Sequence, residues 1–433
     1  MGAKTFLFMP ESAYGPTNNC IGIGNALLSR GHKVVFAAEA SWAGRLAPLG
    51  FHEDLVDLSA PSEPEVDERG EPIEANAGQF WTDFIRDTSP EFRKPTIDQL
   101  STFVQPTWQA LVDGAQYCQP QLQEIVARSG ADVIIEDNVN CFPALMTAGV
   151  PFVRMMSCNP LEVRGPDIAP VFSGYSADDR DSWAAFRAEY DRVHRPMWSD
   201  YNEWVQSCGA PALGDLDFIH SSDVLNMYLY PQALDYVDRR PLGQTWKRLE
   251  SCVRQTDASF ELPAALQHGP GSLIYLSLGS LGSADLGLMT HLIDVLGQTA
   301  HRYIVSKGPL ADQYELPDNM WGAAQVPQTT VLPLVDLVIT HGGNNTTTEC
   351  FHFGKPMVML PLFWDQYDNA QRVHEMGFGV RLPTYSFTDH QLHTAIDSLL
   401  GDQSLRTRMA GIARHVQSFD GVQTAARLLE SVA

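Results

Sequence analysis

The sequence predicts an α/β protein of two doubly wound domains, each a parallel sheet flanked by helices, facing one another across a central cleft. Three observations carry this. The chain has 433 residues, more than one hydrophobic core usually organises. Short apolar runs alternate with helical patterns through both halves, and parallel strands need such crossovers. Between the halves, residues 238–270 are punctuated by Pro241, Gly243, Pro263, Gly269 and Pro270 with little periodicity, which reads as a linker. The expected division is an N-terminal domain over 1–237, the linker, a C-terminal domain over 271–418, and a terminal helix within 419–433.

Residues 5–9, Thr-Phe-Leu-Phe-Met, read as a buried parallel strand. A loop over 10–18 leads to a helix from about 19 to 30, stopped by Gly31, and 33–38 is the second strand of a βαβ unit. Residues 59–78 are rich in Pro, Glu, Gly and Asn and read as an exposed loop; Phe80, Trp81, Phe84 and Phe92 follow. Helical patterns fill 96–128. A strand at 133–135 ends in Glu136-Asp137, a helix covers about 141–148, and 151–156 is the next strand. An aromatic helix over 181–206 precedes the expected last strand of this half, 224–230. The second half begins with a strand at 273–277, a turn at Leu278-Gly279-Ser280 and a helix to about 296. Further strands are expected at 302–307, 337–340, 357–360 and 379–382, and closing helices at 403–417 and 421–432.

A net charge of −23 excludes a broad nucleic-acid surface, which needs clustered Lys and Arg, and disfavours anionic membranes. A polyanionic ligand must then be held by local donors. No apolar run approaches ~18 residues, and 5–9 soon meet Pro10 and Glu11, so neither a membrane anchor nor a signal peptide is expected. Seven scattered cysteines without a Cys-x-x-Cys pair suit a reduced, cytoplasmic protein with no zinc site.

Two strand-to-helix turns in the second half are candidate phosphate cradles: Ser277 to Ser280, with Gly279, and His341 to Thr346, with Gly343, Asn344 and Asn345. Glycine allows close backbone approach, helix N-termini offer free N–H groups, and His341 adds a donor able to neutralise a phosphate oxygen. Glu349, near the first turn of the second helix, suits either the helix dipole or ribose hydroxyls. Asp365-Gln366, beyond the strand ending at 360, suit sugar hydroxyls, an N-cap, or both. Asp179-Arg180-Asp181 and Asp215-Leu216-Asp217 sit in acidic polar surroundings and read as solvated surface, not a metal site.

These residues resemble the nucleotide-sugar signature of the family-one UDP-glycosyltransferases. The matched pattern is Pro327-Gln328, Leu332, His341-Gly342-Gly343, Asn345-Thr346, Glu349, Gly354-Lys355-Pro356, Pro361, Asp365-Gln366 and Asn369. Residues 276–280, Arg30-Gly31-His32 and Gly149-Val150-Pro151 extend the likeness. The resemblance implies the GT-B fold: two Rossmann-like domains, the N-terminal one for acceptor, the C-terminal one for donor, with the last helix crossing back. It implies inverting transfer of a sugar, glucose by the Gln at 366, from a UDP-sugar co-substrate to a hydroxyl, without metal. By position, Gln328 would meet the uracil; Ser280, His341, Asn345 and Thr346 the diphosphate; Glu349 the ribose; Asp365 and Gln366 the sugar.

The family's base, a histidine after the first strand, falls here on Pro16, which cannot accept a proton. Its orienting aspartate falls on Asp137, which also suits a turn cap. Asp137 or Glu11 as base, an acceptor acidic enough to need little help, and a non-catalytic binder of sugar nucleotide or small molecule all stay open. A GT-B epimerase fits Asp365-Gln366 less well. Tyr14, Phe80, Trp81, Phe84 and Met155 are candidate walls of an apolar acceptor pocket, although aromatics at helical spacing also suit a core. The expected acceptor is an apolar hydroxylated small molecule, such as a natural product or antibiotic.

Overall fold

The computed structural model describes residues 2–60, 87–254 and 257–433. Two parallel sheets form the frame. The first comprises β1 (Thr5–Pro10), β2 (Lys33–Glu39), β3 (His52–Val56), β4 (Val133–Asp137), β5 (Phe152–Met156), β6 (Leu225–Tyr228) and β7 (Trp246–Arg248), in the order β3-β2-β1-β4-β5-β6-β7. The second comprises β8 (Leu273–Ser277), β9 (Arg302–Ser306), β10 (Met320–Ala323), β11 (Leu337–Thr340), β12 (Met357–Met359) and β13 (Gly379–Arg381), in the order β10-β9-β8-β11-β12-β13. Strand order reverses between β1 and β4 and again between β8 and β11, and ligands of open α/β sheets bind beyond the carboxyl ends of strands at such points.

Among the described residues, the helices of ten residues or more are α1 (Tyr14–Ser29), α2 (Gln105–Ser129), α3 (Arg180–Ser207), α4 (Leu286–Gly297), α5 (Asn344–Phe353), α6 (Gln366–Glu375), α7 (Asp389–Gly401), α8 (Gln403–Phe419) and α9 (Gly421–Val432). The central strands are buried on both faces. In β1, Phe6 and Phe8 join the cluster under α1 and α9, and Leu7 and Met9 join the one under α2, as a period of two requires.

The sequence reading needs correction in several places. The expected linker over 238–270 contains β7, which pairs with β6 and completes the first sheet, and Leu266, which is fully buried. The expected loop over 10–18 ends early: α1 starts at Tyr14, with Pro16 in its first turn, where a missing N–H costs nothing. The helix expected over 141–148 is one turn, Pro143–Met146. Strands β3 and β10 were not anticipated.

Helix α9 packs on the first sheet's side of the molecule, against α1. Ala425, Ala426 and Leu429 are buried beside Ile21, Ile23 and Leu27 of α1. Arg30 bonds Glu430 at 2.6 Å and Gln423 at 2.6 Å, and His32 Nε2 lies 3.0 Å from Glu430. A Cβ at Gly421 would lie 2.1 Å from the Ser251 carbonyl oxygen and 2.2 Å from that of Leu249. Gly421→Ala should therefore lift α9 and destabilise the protein by about 1–3 kcal/mol. The check is an earlier thermal unfolding transition, with Gly401→Ala, whose Cβ meets nothing within 4 Å, as the unaffected control.

Candidate active site

The two switch points face each other. Gly15, in the first turn of α1, packs against Asn345 in the first turn of α5: a Cβ on the glycine would lie 3.4 Å from that of Asn345. The amino ends of two long helices thus meet in the cleft.

On the C-terminal side, β8 and β11 end beside one another, with Ser277 registered on Thr340. Gly279, with φ +72°, stands against the His341 ring; a Cβ there would come within 2.8 Å of it, so the turn needs glycine. Ser277 is buried and Ser280 exposed. Desolvation lowers the His341 pKa to about 4, which favours the neutral imidazole. Gly343 is held close to the same ring, where a Cβ would lie 2.7 Å from Nε2.

Along α5, Glu349 is buried and bonded on both oxygens. Oε1 accepts from Arg254 Nη1 at 3.1 Å and Asn345 Nδ2 at 3.1 Å; Oε2 accepts from Gln328 Nε2 at 2.6 Å. The Gln328 amide also reaches Thr346 Oγ1 at 3.3 Å. The structure gathers Gln328, Asn345, Thr346 and Glu349, and adds Arg254. Asn344 turns elsewhere. Its Nδ2 donates to the Ser157 and Leu229 carbonyls at 2.8 and 3.1 Å, so it clamps the two domains and does not face the cradle.

Asp365 lies where the domains touch. Its Oδ2 accepts from the backbone N–H of Asn159 at 2.9 Å and from Asn369 Nδ2 at 3.5 Å, and burial raises its pKa to about 6. Gln366 uses Oε1 to accept from the N–H groups of Leu362 and Phe363 at 3.1 and 3.3 Å. One turn on, Asp368 accepts from the N–H groups of Phe172 and Gly174 at 2.6 and 2.8 Å. Phe363 and Trp364, in the preceding loop, fill an aromatic seat on the N-terminal domain. Phe363 stacks on Phe92 at 5.1 Å, and Trp364 meets Phe172 at 4.3 Å and Trp108 at 5.1 Å. Trp364 holds φ +56°, a conformation that costs a bulky residue energy and persists because the surrounding rings fix it.

On the N-terminal side, the backbone N–H of Glu11, just beyond β1, donates to the Asp137 carbonyl at 2.8 Å. The two acids differ in availability. Asp137 is 3% exposed, and its oxygens accept from Ser157 N at 3.0 Å, Ser157 Oγ at 2.6 Å and the Cys20 thiol at 3.7 Å. Glu11 is partly exposed and lines a small recess, about 50 Å³, with Met9, Ser12, Val56, Leu58, Leu111, Asn138 and Phe142. Desolvation raises the Glu11 pKa to about 7, and the charges of Asp137 and Asp365 push the same way.

The expected acceptor walls fare less well. Met155 is fully buried with Met227 and Ile135 in the sheet core, and Tyr14 is exposed, packed on Trp42 at 5.4 Å. Phe80, Trp81 and Phe84 lie outside the described residues. The recess walls that the sequence reading missed come from β2, β3, α2 and the turn after β4, and no local motif marks them. Among the described residues no cluster of His, Cys, Asp or Glu is arranged to hold a metal ion, and no helix is long and apolar enough to cross a membrane.

Residues 290–424 match the family model described as erythromycin biosynthesis protein CIII-like, C-terminal domain. The chain is 33% identical over 428 residues to the NDP-glycosyltransferase YjiC of Bacillus subtilis (strain 168), covering 97% of this chain and 95% of that protein. It is 23% identical to the oleandomycin glycosyltransferase of Streptomyces antibioticus, covering 97% and 89%. Among solved structures, the glycotransferase of kitacinnamycin superposes with a TM-score of 0.72 at 20% identity, covering 100% and 99%. The spinosyn rhamnosyltransferase SpnG, complexed with thymidine diphosphate, does so with 0.63 at 16%, covering 98% and 100%. With that full-length likeness added to the paired parallel sheets and the facing switch points, this chain belongs to the family-one glycosyltransferases of GT-B fold.

Proposed function

We propose that this glycosyltransferase moves a hexose, glucose by the Asp365-Gln366 pair, from a UDP-sugar to a hydroxyl of an apolar small molecule, with inversion and with Glu11 as the base. The observation that carries the reading is the opposition of two sites across one cleft. On one side a buried carboxylate, Glu349, stands with Gln328, Asn345 and Thr346 at a helix N-terminus; on the other a partly exposed carboxylate, Glu11, lines an apolar recess.

In this reading the ribose diol donates to Glu349, and the diphosphate accepts from the α5 N-terminus, His341 and the Gly279 turn. Asp365 and the Gln366 amide hold the sugar hydroxyls. Glu11 takes the acceptor's hydroxyl proton as the oxygen attacks the anomeric carbon. The bond from that carbon to the diphosphate oxygen breaks, and the leaving nucleoside diphosphate carries its electron pair into the donor-rich turn. Asp137, saturated by Ser157 and Cys20, fixes the loop and takes no proton. The donor is proposed as UDP-linked because Glu349 can accept from two ribose hydroxyls.

Turnover of UDP-glucose, UDP-galactose and thymidine diphosphate glucose against a panel of phenols, macrolides and sterols tests this. The expected outcome is UDP-glucose consumption coupled to a glucosylated product. A preference for the thymidine donor would refute the UDP assignment. Tight UDP binding with no product from any acceptor would refute Glu11-assisted transfer to this acceptor class.

A further inference from the structure

Arg254 belongs to no motif and sits on the segment that carries the chain from β7 to β8. Its guanidinium is held in place: Nε and Nη2 bond the two oxygens of Asp257 at 2.9 and 3.1 Å. Asp257 in turn accepts from the backbone N–H of Thr329 at 3.0 Å and its hydroxyl at 2.8 Å, next to Gln328. The remaining nitrogen, Nη1, meets Glu349 Oε1 at 3.1 Å. The crossing segment thereby fastens both Gln328 and Glu349.

The two oxygens of Glu349 are not equivalent. Oε1 carries a charge-assisted bond from Arg254 plus one from Asn345, on its own helix; Oε2 carries only the Gln328 amide. A neutral amide yields to an incoming hydroxyl more readily than a guanidinium anchored by a second carboxylate. Burial pushes the Glu349 carboxyl up, and the Arg254 charge is the largest influence pulling it back, with Asp257 opposing.

We propose that Arg254 is a positioning residue of the donor site: by holding Oε1 of Glu349 it keeps that carboxylate aimed, so that Oε2 passes from the Gln328 amide to the ribose hydroxyls of the nucleotide. This rests on the reading of Glu349 as the ribose acceptor. Arg254 itself touches neither nucleotide nor sugar. Its effect is confined to ligands that present a ribose hydroxyl.

Calorimetric binding of UDP and of 2′,3′-dideoxyuridine diphosphate separates the possibilities. Wild type should prefer UDP by about tenfold, the worth of one good hydrogen bond to a charged group. Glu349→Gln should bind both nucleotides alike. Arg254→Gln should also lose the preference, while binding the dideoxy nucleotide as wild type does, and Arg254→Lys should recover part of it. If wild type shows no preference, or Glu349→Gln keeps one, the ribose reading is wrong. If Glu349→Gln loses the preference and Arg254→Gln keeps it, only the role of Arg254 is overturned. Loss of both nucleotides in Arg254→Gln and Arg254→Lys would make Arg254 general scaffold and overturn it as well.

Discussion

Glu11→Gln is expected to cut kcat/KM for transfer to an alcohol by about 10²–10⁴-fold, the usual worth of a positioned general base. The argument is one of elimination and placement. Pro16 holds the position of the family's histidine and carries no acceptor. Asp137 is buried, and its oxygens are engaged by Ser157 and Cys20. Glu11 alone of these lines the recess beyond β1 and β4, and desolvation gives it a pKa of about 7. The sign of the pH dependence follows. A base must be deprotonated, so wild-type kcat/KM should fall below about pH 7 and level off above it. Glu11→Gln should lack that limb. Asp137→Asn should keep it while losing some activity through a displaced Ser157. The chemical control is the acceptor. A phenol acidic enough to ionise near neutrality needs no base, so the Glu11→Gln defect should shrink sharply for it. An equal defect for alcohol and acidic phenol would mean that Glu11 acts by shape or charge and not by proton transfer.

The sequence exposes some of this site and hides the rest, for physical reasons. Strands β1, β4, β8 and β11 are apolar runs because both their faces are covered, and they are the strands that flank the switch points. The turns after β8 and β11 carry glycines that the backbone needs, so these two turns are legible from local spacing. Edge strands are different. In β3, His52, Glu53 and Asp54 form part of a strand whose pairing, not its composition, makes it one, and β7 is Trp-Lys-Arg. The linker reading failed there for that reason. Contacts between domains leave no local trace at all. Asn344 looks like a cradle residue and is a clamp; Asn159 and Arg254 look like nothing and reach Asp365 and Glu349 across more than 90 residues of chain. The recess beside Glu11 is harder still, since its walls come from β1, β2, β3, α2 and the turn after β4, and no local motif marks them.

Asp365 carries the second large expectation. Asp365→Ala should lower kcat/KM for the sugar donor at least about 100-fold, near 3 kcal/mol, because a buried site built for a hydroxyl is left without its acceptor. Affinity for UDP should stay within about twofold, since UDP presents no hexose for that carboxylate to grip. The split between the two readouts matters, because Asp365 also accepts the Asn159 N–H across the domain boundary at 2.9 Å. If the residue served closure alone, UDP affinity and transfer would decline together, and so would those of Asp368→Ala, which removes the neighbouring acceptor of the Phe172 and Gly174 N–H groups. If it serves the sugar, Asp365→Ala should hydrolyse and transfer the donor poorly while binding the bare nucleotide normally, and Asp368→Ala should chiefly lower the thermal midpoint. Unchanged transfer in Asp365→Ala would remove the sugar assignment of that residue. Domain closure would then be the role left to the aspartate at the head of α6.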